Sequence, residues 1–115
     1  MNEYIIPVAW SHFDSMIDFL DQQLSRQGVP TVLRLRTQLV AEEVFQAALS
    51  APGGDTAKMR CVLPAPLTVL LQCRSAAPDF ALDWSSLHAL ENSSCTYGLK
   101  YTWTGNNCQI LIGKK

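Results

Sequence analysis

Glu42 and Gln46 are four residues apart within a strongly apolar run that extends from Leu39 to Leu49. On a helix this spacing places both side chains on one face, one turn apart. A carboxylate can take up a proton, and an amide carbonyl oxygen can bind a hard cation such as Mg²⁺. The pair is therefore a candidate half of a nucleotide site. The alternative is that both groups lie on the solvated edge of a core helix.

The elements that would position this pair follow from turn residues and apolar periodicity. The predicted elements, in chain order, are a strand over Tyr4–Trp10, a helix from Ser11 to about Gly28, a helix from Thr31 to about Leu49, strands over Ala57–Leu63 and Leu67–Arg74, a short helix over Asp83–Leu90, and strands over Tyr97–Trp103 and Cys108–Ile112. The apolar positions of the second helix include Val32, Leu35, Leu39, Val40, Val44, Ala47 and Ala48.

The predicted order is β-α-α-β-β-α-β-β. Because most connections between strands are hairpin-like, we expect a mostly antiparallel five-stranded sheet, with the two longer helices and the short helix on one face. The sequence therefore predicts an α+β two-layer sandwich. A chain of 115 residues is long enough for a single core of this kind, so residues 1–115 are expected to form one domain.

Composition and charge exclude several classes of protein. With 48% hydrophobic and 17% charged residues, the chain has the composition of an ordinary globular protein. A formal net charge of −1 gives no electrostatic footprint for nucleic acid or an anionic membrane, so neither is an expected partner. No apolar run approaches the ~20 residues of a membrane-spanning helix. The start, Met1 to Tyr4, lacks the features of a signal peptide, which predicts a cytoplasmic protein.

Four cysteines, Cys61, Cys73, Cys95 and Cys108, are separated by 12, 22 and 13 residues and form no C-x-x-C pair. In a reducing compartment such residues are expected to be small buried hydrophobes. A zinc site is the alternative, although it would lack the usual close pairs of ligands.

The element order, together with the E-x-x-x-Q pattern of Glu42 and Gln46, resembles the histidine-kinase-like (GHKL) ATPase fold. Within that superfamily the chain looks most like the compact anti-sigma-factor serine kinases of bacteria. In that family the second helix carries E-x-x-x-N, where the Glu is the general base and the Asn holds Mg²⁺. The resemblance implies that Glu42 takes the place of this base and that Gln46 takes the Mg²⁺ position.

The adenine-binding motif of the family, D-x-G-x-G-F, is not retained here. Aligning its Phe with Phe80 places Ser75 at the Asp that reads the adenine amino group, and Ala77 and Asp79 at the two glycines. Ser75 is neutral and shorter in reach than Asp. Asp79 introduces a branched anionic side chain where glycine gives the backbone freedom and close access to the ligand.

The glycine-rich phosphate lid of the family is also missing. No glycine occurs from Asp55 to Tyr97, and no Lys or Arg occurs between Arg74 and Lys100. Backbone N–H groups of a flexible loop and nearby positive charge are what cradle a triphosphate. The resemblance therefore implies a histidine-kinase-like domain, residues 1–115, that lacks the ATP lid and uses no cofactor.

The resemblance implies a degenerate, anti-sigma-factor-like regulatory protein that does not bind ATP and acts by binding another protein. Its partner would be a sigma factor, an antagonist of the anti-sigma factor, or a second copy in a homodimer. The alternative is a divergent ATP-dependent serine kinase, in which Glu42 is the base and Gln46 binds Mg²⁺. A third possibility is a different sandwich of helices and sheet with an unrelated ligand.

Overall fold

Two helices and five strands make up the part of the chain that the computed structural model describes, which comprises residues 3–7, 11, 13–50, 58–74, 89, 96–104 and 107–114. In chain order these elements are β1 (Glu3–Pro7), α1 (Phe13–Arg26), α2 (Thr31–Ser50), β2 (Lys58–Ala65), β3 (Thr68–Arg74), β4 (Tyr97–Thr104) and β5 (Asn107–Lys114).

The strands form one sheet with the order β1-β2-β3-β5-β4, and every neighbouring pair is antiparallel. Helix α2 packs against β3 and β5, and α1 packs beside α2. The predicted α+β class with an antiparallel sheet is confirmed. The third helix predicted over Asp83–Leu90 lies outside the described residues, except for Ala89.

Helix α1 has a single apolar face. Met16, Leu20 and Leu24 recur every four residues and are all buried, so they form a stripe along one side of the helix. The helix ends in a Schellman motif, because the Gly28 N–H donates to the Ser25 carbonyl at 3.0 Å and the Val29 N–H donates to the Leu24 carbonyl at 3.0 Å. Gly28 has φ = 75°, a left-handed conformation that glycine adopts without steric cost.

Polar contacts fix the angle at which α1 meets α2. Asp21 on α1 accepts from the Arg34 Nε at 3.2 Å and from the Gln38 Nε2 at 2.9 Å. The Arg34 guanidinium also donates to the Val29 carbonyl at 2.9 Å, which ties α2 to the connection between the helices. Two turns of α2 are therefore anchored to one carboxylate of α1.

The core lies between the helices and one face of the sheet. Its members on the strands share one side of the sheet, since all but Tyr97 are paired in register with another of the set or alternate with one along a strand, and Tyr97 is two residues from Leu99 on β4. These members are Met59, Cys61, Val69, Leu71, Cys73, Tyr97, Leu99, Cys108, Ile110 and Ile112. From α2, Phe45 is fully buried and its ring meets that of Phe13 edge-on, with centroids 5.4 Å apart.

The connection between β2 and β3 is a tight turn through Pro66 and Leu67. Leu67 has φ = 57°, a conformation that costs an L-residue roughly 1–2 kcal/mol and that is usually left to Gly or Asn. The Thr68 hydroxyl donates to the Pro66 carbonyl at 3.3 Å and Ala65 pairs with Thr68, so the hairpin closes despite the strain.

Candidate functional site

Glu42 and Gln46 both lie on α2, one turn apart. The buried side of this helix includes Leu33, Val40 and Val44. At 100° per residue, Glu42 and Gln46 point roughly 160° away from the centre of that buried side. Glu42 is half-buried and Gln46 is exposed. The pair therefore lies on the outer side of α2 and not on the side that packs on the sheet.

The same outer side carries three large aliphatic residues. Val32, Leu35 and Leu39 retain exposed fractions of 54%, 54% and 48%. With Glu42 and Gln46 they follow the spacing i, i+3, i+7, i+10, i+14, which is one continuous line along a helix. We call these five residues the outer stripe of α2. It is aliphatic over its first two turns and polar over its last two.

The sequence did not distinguish the two apolar sides of α2. Val32, Leu35 and Leu39 were among the predicted apolar positions, together with Val40 and Val44, but only the latter two are buried. The sequence does contain the pattern of a helix with two apolar sides, since α2 has apolar residues at helical spacing on two sides, whereas α1 has them on one. A helix that is apolar all round is normally enclosed on all sides. This one is enclosed on only one side within the described structure.

A cavity of about 490 Å³ lies beside the residues that precede α2. It is lined by the connection between the helices and by the β2–β3 turn, at residues 27–29 and 63–68. Glu42 is 11 residues beyond the first residue of α2, which is roughly 16 Å along the helix axis. Gln27 and Thr68 supply the polar side chains of the lining, and no ionisable side chain is among the lining residues. This cavity therefore has no group for acid–base chemistry.

Ser75, Ala77 and Asp79, the predicted positions of the nucleotide motif, lie outside the described residues. Their relation to Glu42 and Gln46 therefore stays a prediction. Across the part of the chain that is described, no group of three or more His, Cys, Asp or Glu side chains is close enough to hold a metal ion. In the same part of the chain, neither helix has the length and apolarity needed to cross a membrane.

Three of the four cysteines lie in the core. Cys61, Cys73 and Cys108 are buried free thiols, which confirms the prediction for these three, and Cys95 is outside the described residues. Burial raises the pKa of each thiol from 9.0 to about 12, and for Cys73 the neighbouring Cys108 adds to the effect. Thiols with such a pKa are protonated at neutral pH and make poor nucleophiles.

Comparison with known proteins gives no independent assignment, since no protein-family model matches this chain and no curated protein matches it. The likeness to the anti-sigma-factor serine kinases accordingly rests on the element order and on the Glu42–Gln46 pair.

Proposed function

We propose that this chain is a regulatory domain of the anti-sigma-factor type that binds another protein through the outer stripe of α2 and does not use ATP. The observation that carries the proposal is the half-exposed state of Val32, Leu35 and Leu39 on one line of a helix that is already packed on its other side. Covering the remaining exposed half of each side chain would contribute about 1 kcal/mol per residue. An aliphatic centre of this kind is typical of a protein interface.

The polar half of the stripe suits the rim of such an interface. Glu42 and Gln46 continue the line of Leu35 and Leu39, so a partner helix or strand that covered the leucines would reach the carboxylate and the amide next. Polar groups around an apolar centre provide orientation and specificity. In this role Glu42 and Gln46 are recognition residues, although their spacing is that of the kinase motif.

The proposal includes the histidine-kinase-like fold with its third, short helix over Asp83–Leu90. Loss of nucleotide binding is supported by the sequence of the segment that should form the lid, which has no glycine from Asp55 to Tyr97. By resemblance, the partner is a sigma factor, an antagonist, or a second copy of this chain.

A photo-crosslinking residue in place of Leu39 tests the interface directly. The cross-linked partner is identified by mass, purified, and its dissociation constant for the chain is measured by titration calorimetry. We expect Leu35→Asp with Leu39→Asp to weaken binding at least tenfold, since each change places a charge in the apolar centre. Leu67→Asp is the matched control, because Leu67 is also an exposed leucine, on the β2–β3 turn. An affinity that the double substitution leaves unchanged would exclude the outer stripe as the interface.

Melting experiments with Mg-ATP test the absence of nucleotide binding. A ligand present at a hundred times its Kd stabilises the folded state by about 2.7 kcal/mol, which is readily seen as a shift in Tm. We expect no shift at millimolar Mg-ATP. A shift that disappears in the Gln46→Ala variant would instead support the serine kinase, in which Gln46 binds the Mg²⁺ of the nucleotide.

A further inference from the structure

The face of the sheet that is turned away from the helices carries a concentration of positive charge. Successive residues of a strand point to opposite faces of the sheet. Because Met59, Cys61 and Cys73 are buried on the helix-covered face, the residues that alternate with them, Lys58, Arg60 and Arg74, lie on the other face, and the register places Lys100 there as well. All four cationic side chains are exposed. We call this side the open face of the sheet.

Three of these cations are crowded at one end of β2 and β3. Lys58 is the direct cross-strand partner of Arg74, and Arg60 is one pair along on β2. Directly opposed side chains have Cβ atoms roughly 5 Å apart, and like charges at this distance destabilise a sheet. Within the described structure neither Lys58 nor Arg74 has an ion-pair partner. We call Lys58, Arg60 and Arg74 the basic patch.

The acidic residues whose side chains are described lie away from the open face. Those with described side chains, which are Asp14, Asp18, Asp21, Glu42 and Glu43, all lie on the two helices. In the five strands the acidic residue is Glu3 of β1, which pairs with Val62 on the open face, one register row from Arg60 and two from Lys58. Although the formal net charge of the chain is −1, four of its nine Lys and Arg residues share this sheet face.

Amides and aliphatic residues lie between the basic patch and Lys100 on the open face. Gln72 pairs with Gln109, and its Oε1 accepts from the Arg60 guanidinium at 3.2 Å. The next row, toward the β2–β3 turn, consists of Glu3, Val62, Leu70, Leu111 and Lys100 in register. A path from Arg74 to Lys100 is roughly 16 Å long, given strands ~4.8 Å apart and ~3.3 Å per residue. It crosses the row of Gln72 and Gln109 and then the row of Leu70 and Leu111.

We propose that the open face binds an extended acidic segment of a partner protein, with carboxylates at both ends and aliphatic residues between them. About five extended residues span the path from the basic patch to Lys100. Arginine and lysine supply charge-assisted hydrogen bonds to carboxylates, and the half-buried Leu70 and Leu111 offer an apolar floor between them. This surface is separate from the outer stripe of α2, so the proposal does not rest on the proposed function.

Single-stranded nucleic acid is the competing occupant of a basic sheet face, and the side chains favour the peptide. Nucleic-acid-binding sheets stack bases on aromatic residues. The aromatic residues of β4 with described side chains, Tyr97 and Tyr101, lie with Leu99 on the helix-covered side of the sheet. Among the described side chains of the open face there is no aromatic ring, so bases would have no stacking platform there.

The test uses a fluorescein-labelled peptide in which glutamates flank a short aliphatic centre, with binding followed by fluorescence anisotropy. We expect measurable binding that weakens with salt and falls at least tenfold in Arg74→Glu, with a smaller loss in Arg74→Gln. Lys114→Glu is the matched control, because it changes the net charge by the same amount as Arg74→Glu. Lys114 is an exposed lysine of β5 whose register position is on the helix-covered side of the sheet. It should bind as the unaltered chain does. Melting curves verify that each variant is folded.

Four results would overturn the proposal. The first is that a peptide with glutamine in place of glutamate binds as tightly as the acidic peptide, which would show that the carboxylates are not recognised. The second is that Lys114→Glu weakens binding as much as Arg74→Glu does, which would show that the effect is not specific to the open face. Tighter binding of single-stranded DNA than of the peptide would assign the surface to nucleic acid. Salt-sensitive self-association that Arg74→Glu abolishes, seen by sedimentation velocity, would show that the open face binds a second copy of the chain. None of these results depends on Leu35 or Leu39.

Discussion

The two faces of the sheet use the same strands for different purposes. On the helix-covered face, Leu71 pairs with Ile110 and Cys73 pairs with Cys108, and all four are buried. The neighbouring residues of the same strands lie on the open face, where Gln72 pairs with Gln109 and Arg74 lies on the same side as Gln72. Successive residues of a strand thus alternate between core and surface. The difference implies that stability is concentrated on the covered face, and that residues of the open face can be changed at little cost to folding.

The largest expected difference between the faces is in thiol reactivity. Because burial raises the pKa of Cys61 and Cys73 from 9.0 to about 12, the thiolate fraction at pH 8 is lower by a factor of about a thousand than for a free thiol. In a Cys95→Ser variant we expect disulfide-exchange reagents to modify the native chain at least a thousandfold more slowly than the urea-unfolded chain. Absorbance kinetics measure both rates. Rapid labelling of the native chain would show that the covered face is open to solvent.

The same pKa values give a pH dependence of stability. The unfolded chain releases these thiol protons near pH 9.0, whereas the folded chain keeps them until about pH 12. The unfolded state therefore binds fewer protons in this window, so the free energy of unfolding falls as the pH rises from about 9. The stabilisation from neutral buried thiols is fully present below that pH.

Two neighbouring leucines provide a matched comparison of the faces in packing. Leu71, 1% exposed, is on the covered face, and Leu70 is half-buried on the open face. We expect Leu71→Ala to lower the free energy of unfolding by about 2–5 kcal/mol, because it leaves a cavity in the core. Leu70→Ala should cost about 1 kcal/mol, because less of its surface is covered. Urea denaturation gives both values, and equal losses would mean that the two faces are packed alike.

The smallest expected effect concerns the charges of the open face. Replacing Arg74 by Gln removes the like-charge pair with Lys58 and should stabilise the fold by about 0.2–1 kcal/mol at low salt. The gain should vanish at high salt, where screening already weakens the repulsion. Denaturation of both proteins at two ionic strengths measures this difference. A loss of stability in Arg74→Gln would reveal a native contact of Arg74 that outweighs the repulsion.

Much of the fold could be predicted because its elements follow local rules. The spacing of Met16, Leu20 and Leu24 predicted α1, and Gly28 predicted its end, where the structure has a positive φ. Val69, Leu71 and Cys73 alternate along the strand predicted over Leu67–Arg74, and the structure buries all three on one side. These features depend on residues close in sequence, and so a single sequence contains them.

What could not be predicted depends on distant partners. Leu67 was expected to begin a strand, but it occupies a turn position with positive φ, because closing the hairpin between Ala65 and Thr68 outweighs its local preference. The apolar residues of α2 did not reveal which side would pack, since both sides have helical spacing. For the candidate site, the sequence placed Glu42 and Gln46 on one helix face, but their outward direction depends on where α2 meets the sheet.

The strand order also has a consequence for the timing of folding during synthesis. β5 lies between β3 and β4, although it is the last of the five strands to leave the ribosome. Until it emerges, β3 lacks one of its two neighbours, β4 has no place in the sheet, and α2 lacks part of its packing surface. The apolar faces of the two helices therefore lack a complete sheet to pack against during this interval. This interval is when a chaperone would have the greatest effect on the yield of folded protein.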